Sequence, residues 1–220
     1  MENINSYNQL EFEQQFRQTD LYQQLTATYD VINFKKFFEP GWERILTPRQ
    51  RVAFSGMSAV PWYYFQYLNT DVTVYDLGCG CNFFKPYFKS LIGVGAESEP
   101  DQFFGDIHDF VDDEFYYSHQ KYYQSVFSIC ALHFQPLENF NEICNNFSSI
   151  IADHGRGFLA LNYQRLKERS VRFVNTTIAE DESWIREQLD NIACKILVLD
   201  LDLSCADAWL DGNIRIVFEQ

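Results

Sequence analysis

Positive charge is scarce in this chain of 220 residues: 17 Lys and Arg stand against 31 Asp and Glu, for a formal net charge of −14. A field of that sign repels phosphate backbones and anionic lipid, which disfavours nucleic-acid and membrane partners. Long apolar runs are missing as well, and no stretch approaches the ~18 or more consecutive apolar residues that a membrane-spanning helix needs. The six cysteines, at 79, 81, 130, 144, 194 and 205, lack the short repeated spacing of a zinc site. Nothing near the start reads as a secretory signal. These absences predict a soluble, cytoplasmic protein with reduced thiols and no metal. There is no internal repeat and no low-complexity tail.

What is present is apolar and ring-rich: 46% of residues are hydrophobic, and 21 Phe and 13 Tyr bring the aromatic share to 17%. A chain of this size and content buries a sizeable core, and one main α/β domain with an added lid is the expected organisation. The pattern changes near Asp71. From Gln9 to about Leu68, stretches such as "LEFEQQF" and "LYQQLTATY" space apolar residues three and four apart, and Thr47 with Pro48 offers a helix start. Residues 1 to 70 therefore read as an N-terminal helical lid, and residues 71 to 220 as the main domain.

After Asp71 come short apolar runs divided by turns and helical stretches, the signature of buried parallel strands with crossover helices. The runs are "VTVYDL", "LIGVGA", "QSVFSICAL", "GFLALNY", "KILVLDLDL" and "IRIVFEQ". Between the last two, Asp211-Gly212 signals a tight turn and leaves no room for a crossover helix, so the final strand is expected to run antiparallel to the one before it.

In "VYDLGCGCNF", Gly78 and Gly80 fall where the first strand gives way to a loop, at the carboxyl edge of the predicted sheet. Ligands bind at that edge, and glycine lets them approach the backbone. Glu97 follows the next strand, where a carboxylate can accept from paired ribose hydroxyls. A tight turn and a solvated acidic loop are the plainer readings of the same residues.

Together "VYDLGCGCNFF", "IGVGAESEP", "FGDIHDF" and "SVFSICALHF" resemble, in order and spacing, the successive motifs of class I S-adenosylmethionine-dependent methyltransferases, and the terminal strand pair is similar to that fold's reversed final strand. The resemblance covers about Asp71 to Gln220. It implies a Rossmann-like, mostly parallel seven-stranded sheet with an antiparallel last strand, and S-adenosyl-L-methionine as cofactor. It assigns Asp76, Gly78, Cys79 and Gly80 to the methionine part, Glu97 to ribose, Asp106 and Ile107 to adenine, and the loop from Ala131 to Phe134 to the reacting methyl. The chain departs from the pattern at Asn82, where a glycine is usual, at Gly95, where the second-strand acid would fall, and at Ser125, where strand four often begins with Asp. Only eight residues separate Glu97 from Asp106, too few for the usual intervening helix.

Methyl transfer needs little beyond positioning, exclusion of water and, for some acceptors, a base. His133 is the base candidate because it follows the fourth strand and histidine is the residue type whose unperturbed side chain changes charge near neutral pH. His108 stands too close to the adenine contact to face an acceptor, and His119 and His154 read as surface residues. Tyr63, Tyr64, Tyr116 and Tyr117 are candidates for an acceptor pocket or for core. The chain has no Pro-Cys pair and "ALHF" in place of an [DNS]-P-P-[YFW] motif, so a small molecule or protein side chain is the expected acceptor. A non-catalytic binding module on the same fold is the alternative. An oxidoreductase is more distant, because G-C-G-C-N-F lacks the last glycine of G-x-G-x-x-G.

Overall fold

The structure, a computed structural model, describes residues 11–12, 14–28, 59–79, 82–95, 102–103, 113–132, 135–204 and 212–220. Its strands are β1 (Val74–Leu77), β2 (Leu91–Gly95), β3 (Gln102–Phe103), β4 (Tyr123–Ile129), β5 (Ile151–Leu161), β6 (Lys195–Leu201) and β7 (Ile214–Glu219). They form one seven-stranded sheet in the order β3-β2-β1-β4-β5-β7-β6. Strands β1 to β5 pair in parallel, whereas β7 is antiparallel to both β5 and β6. The predicted mostly parallel sheet with a reversed last strand is what forms. Each predicted apolar run supplies one strand, and the two-residue β3 is the strand that those runs did not include. Only residues 96–101 separate β2 from β3, in keeping with the short span noted between Glu97 and Asp106.

The turn predicted at Asp211-Gly212 sits where Gly212 takes a left-handed φ of 66°. A Cβ there would stand 2.8 Å from the Leu161 carbonyl oxygen, so glycine lets the β6–β7 connection press against the end of β5. At the other end of β5, His154 is left-handed as well (φ 62°) beside a register shift between β4 and β5. This is bulge geometry, and it turns His154 out to solvent.

The helices are α1 (Asp20–Thr28), α2 (Ala59–Phe65), α3 (Asp113–Ser118), α4 (Phe140–Ser149), α5 (Tyr163–Arg169) and α6 (Ile178–Leu189). A parallel sheet must be covered on both faces. One face carries Leu77, Val126, Leu159, Leu161, Ile214, Ile216 and Phe218, packed against Phe115 and Tyr116 of α3, Phe140, Ile143 and Phe147 of α4, and Ile185 and Leu189 of α6. The other carries Val74, Phe127, Phe158, Val198 and Val217, and its cover is a layer of rings: Phe16, then Tyr63, Tyr64 and Phe65 of α2, then Phe83 and Phe84. Phe65 lies 4.7 Å from Phe127 and Tyr64 stacks on Phe158 at 4.7 Å, within the range where ring pairs add to simple burial. After β1, where "FFKPYF" opens the next segment, the chain makes a 3₁₀ turn at Lys85–Tyr87.

The described part of the first 70 residues is thus bonded to the sheet. Tyr64 donates its hydroxyl to Asp200 Oδ2 at 2.6 Å, and the same oxygen accepts from Arg215 at 2.5 Å, joining α2 to β6 and β7. Tyr63, Tyr64 and Tyr116 are 5%, 1% and 5% exposed, which makes them core residues and removes them as acceptor-pocket candidates. Tyr117 is 78% exposed. The helix start expected at Thr47 and Pro48 lies outside the described residues. Among the described residues no helix is long and apolar enough to cross a membrane.

Because the Tyr64 hydroxyl bonds α2 to the Asp200–Arg215 pair, Tyr64→Phe should lower stability by about 1–3 kcal/mol, the range for a hydrogen bond to a charged group. Urea denaturation measures this, and a value near zero would mean that ring packing alone holds α2.

Candidate functional site

Strand β1 is four residues long, and Asp76 is its third. The register sets Asp76 opposite Gly93 of β2 and Phe127 of β4, and the row continues through Phe158, Val217 and Val198. Every other side chain in that row is apolar or absent, yet the Asp76 residue is only 4% exposed. No hydrogen bond or ion pair reaches its carboxyl among the described residues. Burial alone pushes its pKa up to about 8, since nothing nearby offsets the loss of hydration. A buried carboxyl without a partner is costly to the fold, and groups perturbed in this way cluster at functional sites.

The chain turns immediately after it. Gly78 is left-handed (φ 77°), and its N–H and that of Cys79 both donate to the Val94 carbonyl, at 2.7 and 3.3 Å. A Cβ on Gly78 would stand 2.1 Å from the Ala131 Cβ, so the residues after β4 close tightly over the turn after β1. Ser128 adds a buried link by donating its hydroxyl to the Leu77 carbonyl at 2.9 Å. The glycine at 78 is therefore demanded by the protein's own packing, whereas Asp76 is not explained by it.

The departures noted in the sequence have structural answers. Asn82 takes a left-handed φ of 56°, a conformation Asn tolerates. Its amide lies against β2, where a Cβ on Gly93 would be 2.5 Å from Asn82 Oδ1. The extra side chain at 82 is thus accommodated by the missing one at 93. At Gly95, where the resemblance would place an acid, a Cβ would stand 3.4 Å from Cys79 Sγ, so the thiol of Cys79 covers that position. Ser125 is fully buried within β4. Cys130, just past β4, is left-handed too (φ 53°) and holds the Ala160 carbonyl through its N–H at 2.9 Å.

Of the predicted site residues, Asp76, Gly78, Cys79 and Ala131 come together at the carboxyl edge of the sheet. Gly80, Glu97, Asp106, Ile107 and His133 lie outside the described residues, as do His108 and Phe134. His119 stacks on Phe115 at 4.5 Å and is half-buried, against its surface reading. Sequence reasoning missed the part played by Gly93, since only the pairing register shows that it faces Asp76 and makes room for Asn82. Among the described residues no cluster of His, Cys, Asp and Glu could hold a metal ion.

No family model matches the chain, and no curated protein matches it. Among solved structures it is similar to a SAM-dependent methyltransferase from Archaeoglobus fulgidus, with 16% identity over 77% of this chain and 94% of that one and a TM-score of 0.43. It is similar also to an S-adenosylmethionine-dependent methyltransferase from Mesorhizobium loti (12% identity, 72% and 96% covered, TM-score 0.43). A third is a TehB-like SAM-dependent methyltransferase from Corynebacterium glutamicum (12% identity, 76% and 98% covered, TM-score 0.44). The fold itself is carried by the sheet, through its strand order and the reversed β7 set between β5 and β6.

Gly78→Ala should destabilise by more than about 1 kcal/mol, from the left-handed φ and the collision with Ala131 together. Adding Ala131→Gly should restore only the steric part, and full recovery in urea denaturation would show that the backbone angle carries no strain. For Asp76 the sign is set by its raised pKa. Between the ordinary carboxylate range and about 8, the folded protein holds a proton that the unfolded chain has released. Stability should therefore fall as pH rises through that window, by up to about 1.4 kcal/mol per pH unit for one proton. Asp76→Asn should remove this slope, leaving the variant near the parent at pH 5 and more stable than it at pH 9. Parallel thermal melts would contradict the assignment.

Proposed function

We propose that this protein is an S-adenosylmethionine-dependent methyltransferase acting on a small molecule or a protein side chain. The observation that carries the reading is Asp76, a buried carboxyl without a partner among the described residues, beside a left-handed glycine turn at the carboxyl edge of the sheet. S-adenosylmethionine brings two cationic groups, its ammonium and its sulfonium, and either answers the unmet need of that carboxyl better than a neutral ligand would.

In this reading Asp76 and the turn from Gly78 to Gly80 hold the methionine part, and Ala131 packs the turn from above. Glu97 holds the ribose, and Asp106 with Ile107 holds the adenine. The cofactor, when bound, supplies an electrophilic methyl group. The chain's own work is to orient that methyl, to exclude water, and, where the acceptor must lose a proton, to take it up at His133. The first 70 residues act as a helical cap, anchored to the sheet through Tyr64, with residues 71 to 220 as the binding domain. Reduced thiols and the absence of an apolar spanning run in the sequence favour a cytoplasmic location.

Isothermal titration with S-adenosylmethionine tests the proposal. Binding should release about one proton per site at pH 7, read from the dependence of the heat on buffer ionisation enthalpy, because a cation beside Asp76 drives its ionisation. Asp76→Asn should abolish both the binding and the proton release. His133→Ala should leave affinity intact while lowering turnover by about 10² to 10⁴. No binding at millimolar cofactor would sink the enzyme and leave a non-catalytic module on the same fold.

A further inference from the structure

At the carboxyl end of β5 the chain leaves the sheet for α5, and Asn213, the residue before β7, brackets that exit. Its N–H donates to the Leu161 carbonyl at 2.9 Å, and its own carbonyl accepts from the Asp202 N–H at 2.9 Å. Its side-chain Oδ1 accepts from the Tyr163 N–H at 2.6 Å. The preceding turn is held as well, since Arg215 Nε donates to the Gly212 carbonyl at 2.9 Å. The bond from Tyr163 also settles which way round the amide sits. A backbone N–H needs an acceptor, so the oxygen is the atom that meets it and the nitrogen is left on the other branch.

That nitrogen, Asn213 Nδ2, has no partner among the described residues, and Asn213 is 0% exposed. An amide nitrogen carries two donors, and burying them unmet costs the fold their lost hydration. Ser125 Oγ and Asp181 Oδ1 are also buried without partners. Ser125, however, lies within β4, and Asp181 already accepts from Tyr163 and Lys167 through its other oxygen. Asn213 differs in place, because β7 runs against β5 and so begins at the carboxyl edge, where ligands of such sheets bind. It differs also in preparation, since three hydrogen bonds hold the residue while its donor stays unused.

We propose that Asn213 is a specificity-determining residue whose Nδ2 donates to a neutral carbonyl oxygen of the methyl acceptor. The inference rests on the methyl-transfer reading and adds the class of acceptor to it. In the sheet order β5 and β7 lie on one side of β4, whereas β1, β2 and β3 lie on the other. With the nucleoside held after β2 and β3 and the methyl beside the residues after β4, an in-line displacement brings the acceptor from the β5 side. Two strand spacings, about 10 Å, separate β7 from β4, so the recognised oxygen stands several bonds from the methylated atom. An amide N–H takes only a hydrogen-bond acceptor. A carboxylate fits less well than a carbonyl, because the adjacent cation, Arg215, is engaged by Asp200 and a buried anion would lack a counter-charge.

Heteronuclear NMR of the nitrogen-labelled full chain tests this by observing side-chain amide pairs directly. Asn213→Asp keeps an oxygen for the Tyr163 N–H and identifies the Asn213 pair by its disappearance; if that variant fails to fold, through-bond correlations in the parent assign the pair. The probes are N-methylacetamide and acetate, taken to tens of millimolar because fragments of a few atoms bind weakly. N-methylacetamide should shift the Asn213 pair and leave in place the Asn145 pair, whose nitrogen already donates to Asn141 at 2.8 Å. Acetate should move neither. No shift at Asn213, an equal shift at Asn145, or a cross-peak from the Asn213 pair to a long-lived bound water would overturn the proposal, and a larger response to acetate would overturn the neutral class. Calorimetry with S-adenosylmethionine separates the two readings. Cofactor binding without the N-methylacetamide shift defeats this inference alone, whereas the shift without cofactor binding defeats the methyl-transfer reading and the acceptor role together.

Discussion

Both faces of β1 are covered, and that constraint governs the rest of the structure. A strand at the centre of a parallel sheet has no solvated side, so each of its side chains must be apolar, be paired, or await something from outside. Val74 and Leu77 meet the first condition on opposite faces of the sheet. Asp76 meets neither of the first two. Its carboxyl faces the ring-covered side, between Gly93 and Phe127, with its ionisation suppressed by burial. Under the proposed function, a cationic ligand at the sheet's carboxyl edge is what answers that carboxyl.

Among the described residues, the ring layer covers that face with little helix. Residues 82–90, between β1 and β2, contain only a 3₁₀ turn, where a parallel crossover would ordinarily bring a full helix. The cover comes instead from α2, ahead of the sheet in sequence, and from Phe83 and Phe84. Aromatic side chains suit this task because each covers a wide area from a short segment. Tyr64 adds a polar tie to Asp200 where the layer meets β6 and β7.

The turn after β1 shows how a motif can be read correctly for a different reason. Gly78 reads in the sequence as the point where a ligand comes close to the backbone. In the structure Ala131 comes close to it, and the left-handed φ has to be glycine's on that ground alone. Asn82 reads as an added side chain in a glycine's place, and its amide is absorbed by the bare surface of Gly93. The signal with the strongest bearing on function is one that sequence cannot weigh: whether an acid at the end of an apolar run finds a partner.

The sequence by itself determined the strand runs, the reversed final strand and the place of the glycine turn. All three rest on local physics: the apolar runs show which segments must be buried, the length of a connection limits whether a crossover helix fits, and Asp211-Gly212 marks a turn whose glycine is left-handed in the fold. Tertiary structure alone decided that β7 slots between β5 and β6, that α2 closes one face of the sheet, and that Asp76 lies opposite Gly93 and Phe127. Those outcomes depend on register and packing between segments far apart in the chain, where no periodicity or spacing reaches. A carboxylate's partner, or its lack of one, exists only once the strands on either side of it have been chosen.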